Sequence, residues 1–241
     1  MREMEKNTSH ILDIHTHKSE EASRGRAIIN YQLPVGGALC LSSFYSAGIH
    51  PWQLTERDAE EQLAYLQKLF VEERLVAVGE AGLDKLTAAP MELQVRMFGK
   101  LVELSEKYRL PLIIHCVKAM EELLAVKKEF RPVQPWIWHG FRGKPQQARQ
   151  LMENGMYLSF GEHYPEQTVR TMPVDRMFLE TDDSPVDIEE VLHRVARTRG
   201  TDVEELLHLK LCMERFQLRI LSVKPRHIRY PVFYRQQEKR A

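Results

Sequence analysis

The segment LVAVGEAGLD, residues 75–84, opens with an apolar run that ends at a carboxylate. Residues 75–79 are short, uncharged and rich in valine, and Glu80 follows them directly. Short apolar runs without polar alternation are typical of strands that are buried on both faces, as in a parallel sheet. The segment therefore predicts an inner strand with an acidic side chain at its carboxyl end.

Seven similar runs lie along the chain, and most end at a polar or ionisable residue. The eight predicted strands are residues 11–14, 27–29, 44–49, 75–79, 112–114, 136–138, 156–160 and 177–179. Amphipathic helical patterns fall at residues 60–73, 91–108, 119–130, 145–154 and 187–199, and a capping box at Thr201 and Glu204 begins a last helix to about residue 220. This alternation predicts an α/β fold, a TIM-type (β/α)8 barrel.

The first sector and the C-terminus depart from the regular alternation. Residues 17–45 show no amphipathic pattern, so the helices after strands 1 and 2 are predicted to be reduced or absent. We expect a single barrel domain over residues 1–222 and a basic tail over residues 223–241, in which six Lys or Arg residues oppose one Glu. The tail is either a nucleic-acid arm or a solvated end whose aromatic residues pack locally.

The composition excludes several classes of protein. Hydrophobic residues make up 43% and charged residues 28% of the chain, which is too apolar for a disordered protein. The 34 basic and 34 acidic residues cancel, so no global positive field draws the chain to a membrane or to nucleic acid. Three scattered cysteines and a polar N-terminus predict a reduced, cytoplasmic protein without disulfides or a membrane anchor. No obligate protein partner is expected.

Imidazoles and carboxylates stand at the ends of the predicted strands. They are His15, His17, Glu80, His115, His139 and Asp182. In a (β/α)8 barrel the carboxyl ends of the strands meet at one mouth, where the active site is built. Four imidazoles and two carboxylates form a ligand set for divalent cations. His15 and His17 strengthen this interpretation, because residues two apart on a strand point to the same face.

The motifs around these residues resemble those of the TatD-type metal-dependent hydrolases of the amidohydrolase superfamily. Six family motifs recur in order, namely D-x-H-x-H at residues 13–17, G-x-H-P at 48–51, G-E-x-G-L-D at 79–84, L-P-x-x-x-H at 110–115, H-x-F-x-G at 139–143 and L-E-T-D at 179–182. The resemblance covers roughly residues 10–220. It implies a hydrolase with two divalent metal ions, which are Mg²⁺, Mn²⁺ or Zn²⁺, with Ni²⁺ and Fe²⁺ as further alternatives.

The same resemblance implies a role for each ligand. The two implied ligand sets are His15, His17 and Asp182 for one cation and His115 and His139 for the other, with Glu80 bridging both. Asp182 and Glu80 are the implied catalytic residues. A shared water becomes a nucleophile between two cations, and Asp182 is placed to accept its proton.

Several positions depart from the family pattern. Val117 stands where the family usually has Arg, and Asp183 follows Asp182 where the family usually has Ala. The candidate substrate-binding residues are Arg142 and Lys118, as phosphate ligands, and His50, which is expected to line the pocket. As an alternative, Arg142 and Lys118 point to solvent or pair with Asp183 or Glu162.

The family implies hydrolysis of ester bonds, foremost the phosphodiester bonds of DNA by a TatD-like deoxyribonuclease. The expected substrate is DNA or a small phosphoester. Two alternatives stay open. A small-molecule ester, amide or lactone hydrolase agrees with the missing Arg at position 117. The second alternative is a metal-binding scaffold without turnover. The intact Asp182 argues against it, because a site that catalyses no reaction needs no base.

Overall fold

The computed structural model describes residues 12–18, 27–31, 43–72 and 75–206, in which eight parallel strands close into a barrel. The strands are β1 Asp13–Thr16, β2 Ala27–Tyr31, β3 Phe44–Ala47, β4 Leu75–Asp84, β5 Leu112–Val117, β6 Trp136–Trp138, β7 Met156–Phe160 and β8 Met177–Leu179. Each strand pairs with its neighbour in chain order, and Asp13 of β1 pairs with Leu179 of β8 to close the ring. The predicted (β/α)8 barrel is confirmed.

Helices follow the strands from β3 onward. Within the described residues they are α1 Ala59–Leu69, α2 Met91–Tyr108, α3 Met120–Phe130, α4 Pro145–Glu153, α5 Glu166–Thr171, α6 Ile188–Arg199 and α7 Val203–Leu206, with 3-10 helices at Pro51–Gln53, Phe70–Glu72 and Val174–Arg176. No sequence pattern predicted α5. None of the helices in this part of the chain has the length and apolar character needed to cross a membrane.

Some expectations fall outside the described residues. These are the reduced helices after β1 and β2, the last helix beyond residue 206 and the tail at 223–241. The predicted capping box of Thr201 and Glu204 is not seen in the described residues, where the Thr201 hydroxyl donates to the side chain of Glu205. The short helix α7 begins two residues later, at Val203.

The strands that carry the site are longer than predicted. β4 does not end at residue 79 but continues through Glu80 to Asp84, and all ten of its residues are buried. β5 likewise includes His115, and β1 includes His15. Polar side chains do not terminate these strands because they point into the barrel mouth, where they meet one another instead of water.

An apolar layer inside the barrel lies beneath the site. Its buried members are Ile14, Ile28, Val76, Ala77, Ile113, Ile137 and Phe178. Ile113 and Ile137 each precede a site histidine, His115 or His139, by two residues and so share its face of the sheet. A second and larger layer fills the space between the strands and the helices. The barrel interior is thus apolar below and polar at its mouth.

Helix α2 fixes the end of β4. The Gln94 side chain on α2 accepts a hydrogen bond from the backbone nitrogen of Asp84 at 2.7 Å and donates to the Asp84 carbonyl at 2.9 Å. The same amide donates to the carbonyl of Ala89 at 2.8 Å. A buried amide that bonds both backbone groups of Asp84 in this way sets the orientation of that residue.

We expect Gly82→Ala to destabilise the protein by about 3 kcal/mol, a typical upper value for overpacking. A Cβ at Gly82 would overlap the carbonyl oxygen of His115, so β4 and β5 would have to separate. Gly155→Ala is the control, because Gly155 has a left-handed φ of 73° but no atom of the described residues lies within 4 Å of where its Cβ would stand. That change should cost only about 1 kcal/mol. Urea denaturation of both variants measures the difference, and equal losses would contradict close strand approach at Gly82.

Candidate metal centre

The predicted ligands meet at the carboxyl ends of the strands. His15 lies in β1, His17 just after it, Glu80 in β4, His115 in β5, His139 just after β6 and Asp182 after β8. His15, Glu80, His115 and His139 are buried, whereas His17 and Asp182 are partly exposed. The centre is therefore open to solvent on one side.

Glu80 stands at the middle of this cluster, and its two carboxylate oxygens face different histidines. Oε1 lies 2.7 Å from His139 Nε2 and 3.0 Å from His115 Nδ1. Oε2 lies 3.5 Å from His15 Nε2 and 3.4 Å from His17 Nε2. The carboxylate thus separates the four imidazoles into the two pairs that the sequence motifs imply.

Asp182 belongs with the first of these pairs. Its Oδ1 lies 3.6 Å from His15 Nε2 and 3.4 Å from His17 Nε2. The Asp182 backbone nitrogen donates to the His15 carbonyl at 3.0 Å, and the His17 nitrogen donates to the Asp182 carbonyl at 3.2 Å. A left-handed backbone at Asp182, with φ 51°, turns the chain after β8 towards β1. The side chain is thereby fixed beside both histidines.

The electrostatics of the centre favour a positive charge within it. Burial alone would raise the pKa of Glu80, but His139, His115 and His15 outweigh it and hold that pKa well below its usual value. Burial and the neighbouring His139 oppose protonation of His15, yet Asp182 and Glu80 raise the pKa of His15 to about 9. The ionised carboxylates thus stabilise cationic charge among the imidazoles.

The donor set fits divalent cations. Four groups among the described residues have ligand atoms within 4.8 Å of one another, namely His15 with His17 and Glu80, His15 with His139 and Asp182, His50 with Glu80 and His115, and His17 with Asp182 and Asp183. Among the described residues, neither ring nitrogen of the fully buried His15 has a hydrogen-bond partner. Imidazole nitrogen and carboxylate oxygen together suit Zn²⁺, Mn²⁺ and similar ions. A cation would satisfy the nitrogen that faces the carboxylates.

His50 lies closer to the centre than a residue that only lines the pocket. Its Nε2 is 3.2 Å from Glu80 Oε1, and its Nδ1 accepts a hydrogen bond from the Trp52 nitrogen at 3.1 Å. His50 is therefore within reach of the same oxygen as His115 and His139. The structure brings together every predicted ligand and places His50 beside them.

The two predicted phosphate ligands lie at the edge of the mouth. Arg142 is exposed in the loop after His139, and Lys118 is exposed directly after β5. Neither forms an ion pair within the part of the chain that the structure describes. The alternative pairing of Arg142 with Glu162 is not seen there, because Glu162 contacts the Ser184 hydroxyl and lies 3.7 Å from Arg194.

Comparison with known proteins identifies the family. Residues 38–210 match the family described as TatD related DNase. The chain belongs to this family. The predicted TatD-type resemblance is thus confirmed, and the matched segment carries four of the six predicted ligands, all except His15 and His17.

Individual relatives of this TatD-family chain bear names in keeping with the predicted enzyme class. An uncharacterized metal-dependent hydrolase of Bacillus subtilis, YabD, is 33% identical over 148 residues, which are 58% of each chain. A 3'-5' ssDNA/RNA exonuclease TatD of Erwinia amylovora is 28% identical over 67% of this chain and 72% of its own. A deoxyribonuclease Tat-D of Schizosaccharomyces pombe is 30% identical over 59% of this chain and 51% of its own. The chain thus spans little more than half the length of two of these relatives.

Solved structures share the fold. The TatD homologue YjjV of Escherichia coli superposes with a TM-score of 0.71 at 21% identity, over 90% of this chain and 100% of that one. A TatD-family hydrolase of Entamoeba histolytica superposes with a TM-score of 0.66 at 16% identity, over 87% and 97% of the two chains. Both likenesses confirm the barrel.

Asp84 is a site residue that no sequence prediction singled out. Its Oδ2 lies 3.1 Å from His115 Nε2 and accepts a hydrogen bond from Trp52 Nε1 at 2.7 Å. Burial would raise the pKa of Asp84, but the bonds from Trp52, Leu86 and His115 lower it. The ionised carboxylate orients the imidazole of His115, as carboxylates behind metal-binding histidines do. The signal was present in the last position of the G-E-x-G-L-D motif.

Two further polar residues support Glu80 and His139. Asn30 of β2 accepts a hydrogen bond from the Glu80 nitrogen at 3.1 Å and donates to Glu80 Oε2 at 3.4 Å. Glu180 accepts from the Gly140 nitrogen at 2.5 Å and lies 3.5 Å from His139 Nδ1. No motif pointed to Asn30, because it lies inside a strand whose neighbours are apolar.

Asp13 joins the first and last strands. Its carboxylate accepts hydrogen bonds from the His15 nitrogen at 3.2 Å, the Thr181 nitrogen at 3.1 Å and the Thr181 hydroxyl at 2.6 Å. Burial raises the pKa of Asp13 to about 7, against the effect of these bonds. The first position of the D-x-H-x-H motif thus closes the barrel next to the site.

We expect Asp13→Ala to destabilise the protein by about 3 kcal/mol, because it leaves buried donors of His15 and Thr181 without an acceptor. Asp58→Ala is the control, since the Asp58 carboxylate lies on the surface and contacts its neighbours Thr55 and Arg57 there. That change should cost about 1 kcal/mol or less. Chemical denaturation followed by circular dichroism compares the two variants. A loss at Asp13 no larger than at Asp58 would show that β1 and β8 are held by other contacts.

Proposed function

We propose that this protein is a divalent-metal-dependent hydrolase that cleaves phosphodiester bonds of DNA. The main observation behind the proposal is that the two carboxylate oxygens of Glu80 face separate pairs of histidines, at distances of 2.7–3.5 Å. A carboxylate placed in this way suits a bridge between two cations. The names of the Erwinia and Schizosaccharomyces relatives, an exonuclease and a deoxyribonuclease, support a nucleic-acid substrate.

Each cation would have its own ligand set. The first set is His15, His17 and Asp182, and the second is His115 and His139, with Glu80 shared between them. His50 is a further candidate on the second side, since it reaches the same oxygen of Glu80 at 3.2 Å. Mn²⁺, Zn²⁺ and Mg²⁺ are the ions that this mixture of nitrogen and oxygen donors suits best.

The chain's own side chains would provide the general base and hold the metal ligands in position. Cations held by these residues would supply an activated water and neutralise charge on the phosphate oxygens. Asp182 accepts the proton of the attacking water, because its carboxylate is ionised and partly exposed at the mouth. Burial would raise the pKa of Asp182, but His15 and His139 lower it, so the carboxylate is deprotonated at neutral pH and can accept a proton. Asp84 and Glu180 hold the rings of His115 and His139 in position.

Arg142 and Lys118 would bind the phosphate beside the cations. Both are exposed at the mouth, follow a site histidine by three residues and carry no competing ion pair in the described residues. Arg142 is the stronger candidate, because its planar guanidinium matches two phosphate oxygens at once whereas Lys acts as a point charge. Positive groups of this kind would help to offset the negative charge of the Asp182–Asp183 pair towards an anionic substrate.

A substrate panel tests this function. Metal-free protein is supplied with Mg²⁺, Mn²⁺ or Zn²⁺ and assayed on single-stranded DNA, duplex DNA, RNA, carboxylic esters and lactones. We expect metal-dependent release of nucleotides or oligonucleotides that EDTA abolishes. Turnover of esters or lactones without any cleavage of nucleic acid would replace the proposal with a small-molecule hydrolase. Metal binding without turnover of any substrate would support the alternative of a metal-binding scaffold that has no catalytic activity.

Asp182→Asn should lower turnover by about 10²-fold or more, because the variant lacks the proposed general base. Elemental analysis should show that it keeps more bound metal than the double variant His15→Ala with His17→Ala, which loses two ligands of the first cation. Rate and metal content are measured on the same preparations. Near wild-type turnover of Asp182→Asn would overturn the assignment of the base.

Arg142→Ala should lower kcat/KM for DNA by about tenfold, the scale of one hydrogen bond to a charged group. It should leave a neutral ester, if one is turned over, almost unaffected. Arg149→Ala removes the same charge from the exposed surface of α4 and serves as the matched control. An equal loss in the Arg149 variant would mean that only net charge matters, and no loss in either would remove Arg142 from the substrate site.

A further inference from the structure

Trp52 is a large aromatic side chain that is exposed beside the metal centre. It lies in the 3-10 helix Pro51–Gln53, which follows the end of β3, and it is 70% exposed. Its ring centroid lies 4.9 Å from that of His50 and 5.8 Å from that of His115, with the rings nearly perpendicular. An indole is therefore accessible at the mouth, next to two histidines of the centre.

This indole is held in place rather than free on the surface. Its Nε1 donates to Asp84 Oδ2 at 2.7 Å, and its backbone nitrogen donates to His50 Nδ1 at 3.1 Å. The Thr87 hydroxyl donates to the Pro51 carbonyl at 3.4 Å and ties the loop after β4 to this turn. A side chain whose position is fixed in advance loses little conformational freedom when it binds a ligand.

A second exposed apolar side chain is ordered by the same carboxylate. Leu86 is 66% exposed, and its backbone nitrogen donates to Asp84 Oδ1 at 2.7 Å. Asp84 thus fixes Trp52, Leu86 and the ring of His115 together. An apolar surface is anchored directly to a residue that orients a proposed metal ligand, in a mouth that is otherwise lined by charged and polar groups.

We propose that Trp52, flanked by Leu86, is a stacking subsite for an unpaired nucleobase next to the phosphate that is cleaved. This inference rests on the proposed function and specifies its substrate. A nucleotide carries its base one sugar away from its phosphate, so a phosphate at the centre brings a base to its rim. Bases of a duplex already stack on both faces, whereas a base at a single-stranded end offers a free face to the indole. Stacking on aromatic side chains accepts any base.

Tryptophan fluorescence measures the binding of an oligonucleotide independently of its cleavage. Of the three tryptophans, Trp136 is buried, Trp138 is partly buried and Trp52 is the exposed one. In metal-loaded Asp182→Asn protein, in which cleavage is slowed, we expect a short oligothymidylate to quench the emission of Trp52. An abasic oligonucleotide of the same length should quench it far less. Equal quenching by both oligonucleotides would overturn the base contact.

Kinetics test the subsite in the active protein. The readout is the ratio of kcat/KM for a single-stranded oligonucleotide to kcat/KM for its abasic counterpart. Trp52→Ala should lower this ratio by about tenfold or more, the scale of one stacked base. Trp52→Phe keeps an aromatic face and loses the indole N–H, so it should lower the ratio less. Val133→Ala, a change at an exposed apolar residue away from the site, should not alter it.

The outcomes separate the subsite from the proposed function. If both Trp52 variants lose activity equally on the two substrates, the indole acts only through its hydrogen bond to Asp84, and the stacking proposal is wrong. If Trp52→Ala leaves the ratio unchanged while the protein still cleaves DNA, the subsite fails and the nuclease function stands. If the wild-type protein cleaves no nucleic acid with any metal, the proposed function fails, and quenching by the oligothymidylate alone still reports the base contact.

Discussion

The contact of the Glu80 carboxylate with the surrounding imidazoles is the interaction on which the rest of the structure depends. A carboxylate that is 5% exposed inside a barrel is costly unless positive charge or hydrogen-bond donors surround it. Histidines and Asn30 supply that surrounding, from β1, β2, β5 and the turns after β3 and β6. The barrel mouth is therefore organised around one charge, and the apolar layer below it isolates that charge from water.

Polar side chains behind the proposed ligands hold those ligands in position. Asp84 and Glu180 each stand behind one histidine, and Asn30 stands behind Glu80 itself. Among the described residues, the ring nitrogens of His15 and the Nδ1 of His139 are still without a hydrogen-bond partner, so this network is only partly satisfied by the chain itself. Asp84 and Glu180 orient the rings of His115 and His139, so that one nitrogen of each ring faces Glu80.

The sequence predicted the barrel correctly, and the ligands that it proposed lie together at the barrel mouth, because both expectations follow from local signals. Apolar runs that end at ionisable residues indicate strands, and the mouth of a barrel brings strand ends together. The extension of β4 beyond Glu80 was missed, because a charge inside a strand is read as its end unless its partners are known. The site roles of Asn30 and Trp52 were missed for a related reason. Each depends on a contact with a residue at least 30 positions away, Glu80 or Asp84, which no local pattern contains.

The seam between β1 and β8 has a consequence for how the site is assembled. His15 and His17 come from the first strand and its end, and Asp182 follows the last strand, so they meet only after the ring closes. His115, His139 and Glu80 lie between residues 80 and 139 and need no residue from this seam. The two ligand sets therefore differ in what holds them together: opening the seam would separate His15 and His17 from Asp182, whereas Glu80, His115 and His139 lie on or just after the adjacent strands β4, β5 and β6.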